Sequence, residues 1–350
     1  MLSAERKWSL SYEPSKDKKY HLLEVNDAEL QRALDDGDEL AFKGGEDDSL
    51  TLCTAKSTFQ VQQLCISNSQ LLCIQQDEVL RMVSSSSYRL EPKHVRPNFK
   101  KLQDLLDETL LDIPDKAEDT RLIRYSDVFS SVAASDAEIE KFLKKQGVVN
   151  FDGHARKISP RLLGRFFEVL MMNAALNEKS VVNCEREVCE QLMSESDEFT
   201  PQLSHHILQM YSTDPGLLDT KAVCQMYARQ ILSVQSKMPV REFEQLWNDV
   251  CRDFEPELSM LSGIAILEGT PACVCLFDAA SLSADIETRF NAVFMKRAKW
   301  SWDELKAYIR PLLDNPTDEK SCEALMVKYC RISASGEEKM ATSKIPLQPF

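Results

Sequence analysis

Histidines and cysteines are the side chains here whose types could ligate a metal or attack a substrate. His205 and His206 are the one adjacent histidine pair, and eleven cysteines are spread along the chain. Neighbours on a helix project about 100° apart, so His205 and His206 do not converge on one ligand. His21, His94 and His154 stand alone. No Cys-x-x-Cys pair occurs, and no histidine lies at zinc-finger spacing from a cysteine pair. The odd number of thiols reads as free cysteines, mostly buried, of an intracellular chain. Phosphate chemistry is equally unprovided for. The chain has no G-x-x-x-x-G-K-[ST], no G-x-G-x-x-G and no G-x-S-x-G, and only ten glycines. These absences assign no catalytic residue, no metal and no cofactor.

Two basic sets carry the remaining chemistry. Lys141, Lys144 and Lys145 end one expected helix, and Arg156 and Lys157 lie on the hairpin after it. Together they form a candidate rim for a protein partner, although lysines at a helix C-terminus also suit the macrodipole. The second set is Lys320, Lys328, Arg331, Lys339 and Lys344, with Lys296, Arg297 and Lys299 upstream. Cys322, Leu325, Met326 and Tyr329 claim the inner face of the last helix, which leaves Lys320, Lys328 and Arg331 outward for phosphate contact. Solvated surface decoration is the competing reading of both sets. Trp300 and Trp302 could stack on bases, though Trp302 falls in a core stripe.

The whole chain is acidic. It holds 56 Asp and Glu against 42 Lys and Arg, for a net charge of −14 in 350 residues. Such a chain does not coat nucleic acid over its whole surface, so any nucleic-acid contact must be local. Hydrophobic content of 43% and charged content of 28% are those of a globular protein of several domains. No apolar run is long enough for a bilayer, and residues 1–7 show no secretory signal.

The elements that must position these groups change character along the chain. Short strands with period two are expected at His21–Val25, Glu39–Phe42, Leu50–Thr54, Phe59–Ile66 and Leu71–Ile74, with a helix at Asp27–Leu34 between the first two. Ser84–Ser87 reads as a flexible loop and residues 112–119 as an acidic linker. Sheet edges are hard to hide in so short a segment. Both a small closed barrel and a half-barrel completed by another chain meet the need.

Helical blocks follow. The first has a helix from Tyr125, a capping box at Ser135–Glu138, a hairpin turning at Asp152–Gly153, and a helix from Arg161 to Leu176 after Ser159-Pro160. The second has helices at 200–210, 221–233 and 240–254, then strands at 263–267 and 272–277. The third has a helix around Phe290, a capping box at Ser301–Glu304, a last helix from Asp318 to Tyr329, and a polar tail, 332–344, short of strand formers. The expected fold class is α+β: a β-rich segment at 1–115, either a closed barrel or a half-barrel completed by partner subunits, then tandem blocks of winged-helix pattern at 120–178, 179–283 and 284–350.

Glu287–Phe294, Lys299–Glu304, Tyr308-Ile309 and Ala324–Tyr329 together resemble the "defective in sister chromatid cohesion" family. That family is the sister chromatid cohesion subunit of the alternative, replication-factor-C-like clamp loader. Phe243–Trp247, Leu261–Ala265 and Arg96-Pro97 before Lys100–Leu102 extend the resemblance in order along the chain. The resemblance implies a composite barrel shared with two partner subunits and three winged helices behind it. It also implies a nuclear complex that loads or unloads the sliding clamp PCNA on DNA and docks on the catalytic part of DNA polymerase epsilon. ATP hydrolysis then belongs to other subunits, in keeping with the missing phosphate loop. The rival readings are a stand-alone winged-helix regulator that binds DNA and an enzyme with an unfamiliar site.

Overall fold

Thr58–Gln76 and Val79–His94 pair as one long antiparallel hairpin, the largest feature of the N-terminal sheet in this computed structural model. The structure describes residues 9–12, 20–45, 49–76, 79–113, 121–213, 216–283, 285–313, 317–335, 338–344 and 346. With Ser9–Tyr12 as β1, Ala41–Lys43 as β2 and Thr51–Cys53 as β3, the two long strands are β4 and β5. The sheet order is β1-β5-β4-β3-β2, with β1 parallel to β5 and the other neighbours antiparallel. Helix α1 (Ala28–Asp35) starts where expected, because the Asp27 carboxylate accepts from the Glu29 and Leu30 amides at 2.8 and 3.1 Å. Leu30 packs on Leu52 and Phe59 at the base of the hairpin.

Three expected features differ. Phe59–Ile66 and Leu71–Ile74 are not two short strands but parts of the one strand β4, whose pairing with β5 continues past both. His21–Val25 is reduced to a single parallel bridge between Leu23 and Leu90. Ser84–Ser87 is no loop. Ser84, Ser85 and Ser86 lie within β5, opposite Leu72, Leu71 and Gln70. Serine does not bar a strand, and the ladder supplied by β4 satisfies the backbone groups that a loop would leave to water.

The same compact unit, residues 1–159, holds the first helical block. It contains α2 (Lys100–Glu108), α3 (Tyr125–Ser131), α4 (Asp136–Lys145), β6 (Val148–Phe151) and β7 (His154–Lys157). Asp152 and Gly153 both have positive φ, 49° and 79°, the turn an Asp-Gly hairpin requires. Leu102 and Leu106 of α2 share one core with Val128, Ile139, Leu143 and Ala155. The packing therefore carries α2 with the helices after it, across the division expected at 115–120. Most of the expected linker, 114–119, lies outside the described residues.

The second unit, residues 160–350, opens with α5 (Pro160–Leu176), α6 (Arg186–Met193) and α7 (Pro201–Met210). Helix α6 has no counterpart in the sequence reading. Then come α8 (Thr220–Val234), β8 (Lys237–Pro239), α9 (Val240–Cys251), β9 (Ala265–Glu268) and β10 (Cys273–Leu276). The last block is α10 (Ile286–Lys296), β11 (Lys299–Ser301), α11 (Trp302–Ile309), α12 (Glu319–Tyr329), β12 (Cys330–Ser335) and β13 (Glu338–Ser343). The polar tail thus does form strands, paired with each other and with β11.

The two blocks repeat one topology. Their sheets run β8-β10-β9 and β11-β13-β12, so in each the strand between the first two helices joins the second strand of the hairpin. They differ where α12 stands in the last block. There the earlier block has two 3-10 turns, Arg252–Phe254 and Leu258–Leu261. Pro256 lies between them, and it bars both its own amide and the residue before it from a helix. Ile266 and Cys275 of the earlier hairpin join Phe290, Phe294, Trp300, Leu305 and Met326 in one core, so the two blocks are continuous in packing. Among the described residues no helix is long and apolar enough to cross a membrane.

Candidate functional site

Residues 61–75 and 79–91 of the β4–β5 hairpin contain no buried side chain among those described. Apolar groups lie along it half-covered: Leu71, Ile74 and Val79 are 51%, 49% and 39% exposed. Among the described residues its edges are covered only in part: β3 pairs with β4 over Thr58–Gln60, β1 pairs with β5 over Val79–Met82, and Leu23 bridges Leu90. A sheet of this kind offers backbone donors, acceptors and apolar surface to another chain.

The first basic set divides. Lys141, Lys144 and Lys145 are exposed at the end of α4, as expected. Arg156 is not part of any rim. It is 2% exposed, and its guanidinium donates to Thr109 O at 3.1 Å and Leu110 O at 3.2 Å, just past the end of α2. Carbonyls at a helix end lack intrahelical partners and attract a cation, which accounts for the inward turn. Lys157 stands half-buried against Asp107 at 2.5 Å.

The second set is exposed at all five positions, Lys320, Lys328, Arg331, Lys339 and Lys344. It does not form one plane. Arg331 pairs with Thr342 and Lys339 with Ala334, so alternation along the strands puts Arg331 and Lys339 on opposite faces of the β12–β13 hairpin. Lys328 holds its ammonium 5.2 Å from the Tyr329 ring, and Lys344 donates to Val327 O in the last turn of α12. Upstream, Lys296 pairs with Glu268 at 3.5 Å and Arg297 with Glu304 at 3.1 Å, so internal carboxylates offset both charges.

The tryptophans are core residues. Trp300 is fully buried, donates from Nε1 to Val293 O at 3.1 Å, and lies 5.1 Å from the Tyr308 ring. Trp302 is 7% exposed. Neither offers a face to a base. His205 contacts Glu190 Oε1 at 2.9 Å, and among the described residues no three metal-ligating side chains cluster. The cysteines are free thiols, seven of them buried. Burial pushes Cys189 upward and Cys330 up to about 12, which keeps both protonated and poor as nucleophiles or ligands.

Arg289 escaped the sequence reading as a singular residue. It is 3% exposed and donates to Ser283 O at 2.7 Å, Leu282 O at 2.8 Å and Tyr308 O at 2.8 Å. Burial alone lowers its pKa from the usual arginine value. A charged residue at a helical position whose neighbours Phe290 and Val293 are core was the available signal.

Known proteins match this chain over most of its length. The family profile described as "Sister chromatid cohesion protein Dcc1" matches residues 20–309, from the approach to α1 through α11. A relative from Xenopus laevis named "Sister chromatid cohesion protein DCC1" is 25% identical over 359 aligned residues, covering 94% of this chain and 90% of the relative. The Homo sapiens protein of the same name is 25% identical over 358, covering 93% and 88%.

Proposed function

The chain belongs to the Dcc1 family of sister chromatid cohesion proteins, and from that premise we propose that it is a non-catalytic adaptor subunit of the alternative clamp loader. It acts in sister chromatid cohesion, in the nucleus. Its N-terminal sheet completes a composite barrel with two other clamp-loader subunits. Its helix-and-hairpin blocks are winged helices. The first meets the catalytic part of DNA polymerase epsilon through Lys141, Lys144 and Lys145. The last meets the DNA backbone through Lys320, Lys328, Arg331, Lys339 and Lys344. PCNA is reached indirectly, through the partner subunits, which also hydrolyse the ATP.

The observation that carries this reading is the β4–β5 hairpin. A strand pair of this length with half-exposed apolar side chains and edges only partly covered by the described residues is a liability in a solitary protein and a docking surface in an assembly. The test is Leu71→Asp with Ile74→Asp in the full chain, co-expressed with the two partner subunits. Both side chains are about half exposed, so the isolated chain should keep its far-ultraviolet spectrum and melting behaviour. Co-purification of the three subunits should be lost. A stable three-subunit complex carrying both substitutions would overturn the assignment.

A further inference from the structure

The sheet reaches into the turn between α3 and α4 with two side chains. Lys43, on β2, has a side chain only 14% exposed. Its ammonium donates to Phe129 O, Ala134 O and Asp136 Oδ1, each at 2.8 Å. An ammonium has three protons, so these acceptors fill its capacity. Phe129 O belongs to the last turn of α3, where carbonyls lack helical partners and a cation meets the negative end of the dipole.

Thr58, the first residue of β4, is 1% exposed. Its hydroxyl accepts from the Ser135 amide at 2.8 Å and donates to Glu138 Oε2 at 2.5 Å. Ser135 Oγ donates to the same carboxylate oxygen at 2.6 Å. In a common capping box the glutamate returns to the N-cap amide. Here a threonine of the sheet stands between them, so the box that starts α4 closes only when the sheet is in place. The Ala137 amide adds a 3.3 Å bond to Ala55 O.

We infer that Lys43 and Thr58 are positioning residues for the basic helix α4, holding it at a set offset from the sheet. An apolar contact permits sliding, but directional bonds to a helix C-terminus and to the next helix's N-cap do not. The consequence rests on the function proposed above. A subunit held by the sheet and a protein held by Lys141, Lys144 and Lys145 are kept a fixed distance apart.

Hydrogen–deuterium exchange on the full chain tests the geometry without any partner. Lys43→Met and Thr58→Val should each speed exchange over residues 132–145 by about tenfold, the effect of losing a charge-assisted or buried hydrogen bond. Exchange over 286–309 should not change. Lys43→Arg, which keeps a charged donor, should lose clearly less protection than Lys43→Met. Unchanged exchange over 132–145 in both variants would overturn the inference. So would an equal rise throughout 20–159, which marks general loosening. A second arm uses the assembled complex. Lys43→Met should leave subunit assembly intact, while cross-links from Lys144 to the sheet-bound subunit fall or scatter. An unchanged cross-link pattern counts against the fixed offset, whereas a complex that never assembles on the sheet in the wild-type chain sinks only the proposed function and leaves the exchange result standing.

Discussion

Arg289 and Arg156 show how a single charged side chain can be structural. Each sits below 4% exposure and each satisfies backbone carbonyls, at 282, 283 and 308 for Arg289 and at 109 and 110 for Arg156. Removing the guanidinium strands the carbonyls, and an orphaned buried acceptor costs more than the net worth of the bond it lost. Arg289→Met preserves much of the stem's length. It should lower unfolding stability of the full chain by about 2–4 kcal/mol, through three carbonyls left without donors. Urea denaturation checks this, and a loss within experimental error of wild type would show that water takes over the donors. Trp300 teaches the same lesson from the apolar side. Its indole N–H ends on Val293 O, so even the polar edge of the ring faces inward.

At the scale of elements, local chemistry explains most boundaries. Asp27, Ser135, Thr200, Asp219, Asp285, Ser301 and Asp318 are all N-caps whose side chains accept from the first-turn amides. Gly263 marks a tighter constraint. Its φ is +82°, and a Cβ there would lie 3.3 Å from Ala307 O on α11. A side chain there would adopt a left-handed backbone, and the Ala307 carbonyl would have to give by a few tenths of an ångström. Gly263→Ala should therefore lower stability by roughly 1–2 kcal/mol from the left-handed backbone alone, with the close approach adding to it. Thermal unfolding of the second unit's signal in the full chain measures the change, and an unaltered or raised midpoint would show that the loop repositions without cost. The β4–β5 hairpin obeys a different logic. Its register shifts between Cys65 and Gln70 and again between Leu72 and Cys73, so alternation over the whole strand does not define one inner face.

Across the whole molecule the decisive quantity is charge. With a net −14, attraction to a polyanion has to be local, and the DNA contact proposed above places it around α12 and the β12–β13 hairpin. If all five basic residues neutralise phosphates, the logarithm of affinity against the logarithm of salt should slope near −4 to −5, at about −0.9 per contact. Lys328→Ala with Arg331→Ala should weaken binding alike for all sequences and reduce that slope by about two. Titrations of duplex and primer–template DNA at several salt concentrations read both numbers. Wild-type affinity and slope in the double variant would make the cluster surface decoration and move the DNA contact elsewhere.

What the sequence alone determined is what short-range chemistry determines. Helix starts at Ser135 and Ser301, the Asp152-Gly153 turn and the apolar stripes of α9 and α12 depend on residues within a few positions of one another. Most of the element order, α6 excepted, followed from them, while the family likeness rested on the residue stretches 287–294, 299–304, 308–309 and 324–329. Tertiary structure decided everything that needs a partner far along the chain. Ser84–Ser86 became strand because Gln70–Leu72 lay opposite, Arg156 turned inward because α2 ended beside it, and Thr58 entered a capping box 77 residues away. The separation has one physical cause. A side-chain cap such as Ser301 or a turn such as Asp152-Gly153 is satisfied by its own neighbours, whereas a ladder, a buried guanidinium, the Thr58 link of the α4 box or a shared core has no meaning until loop closure has brought distant segments together.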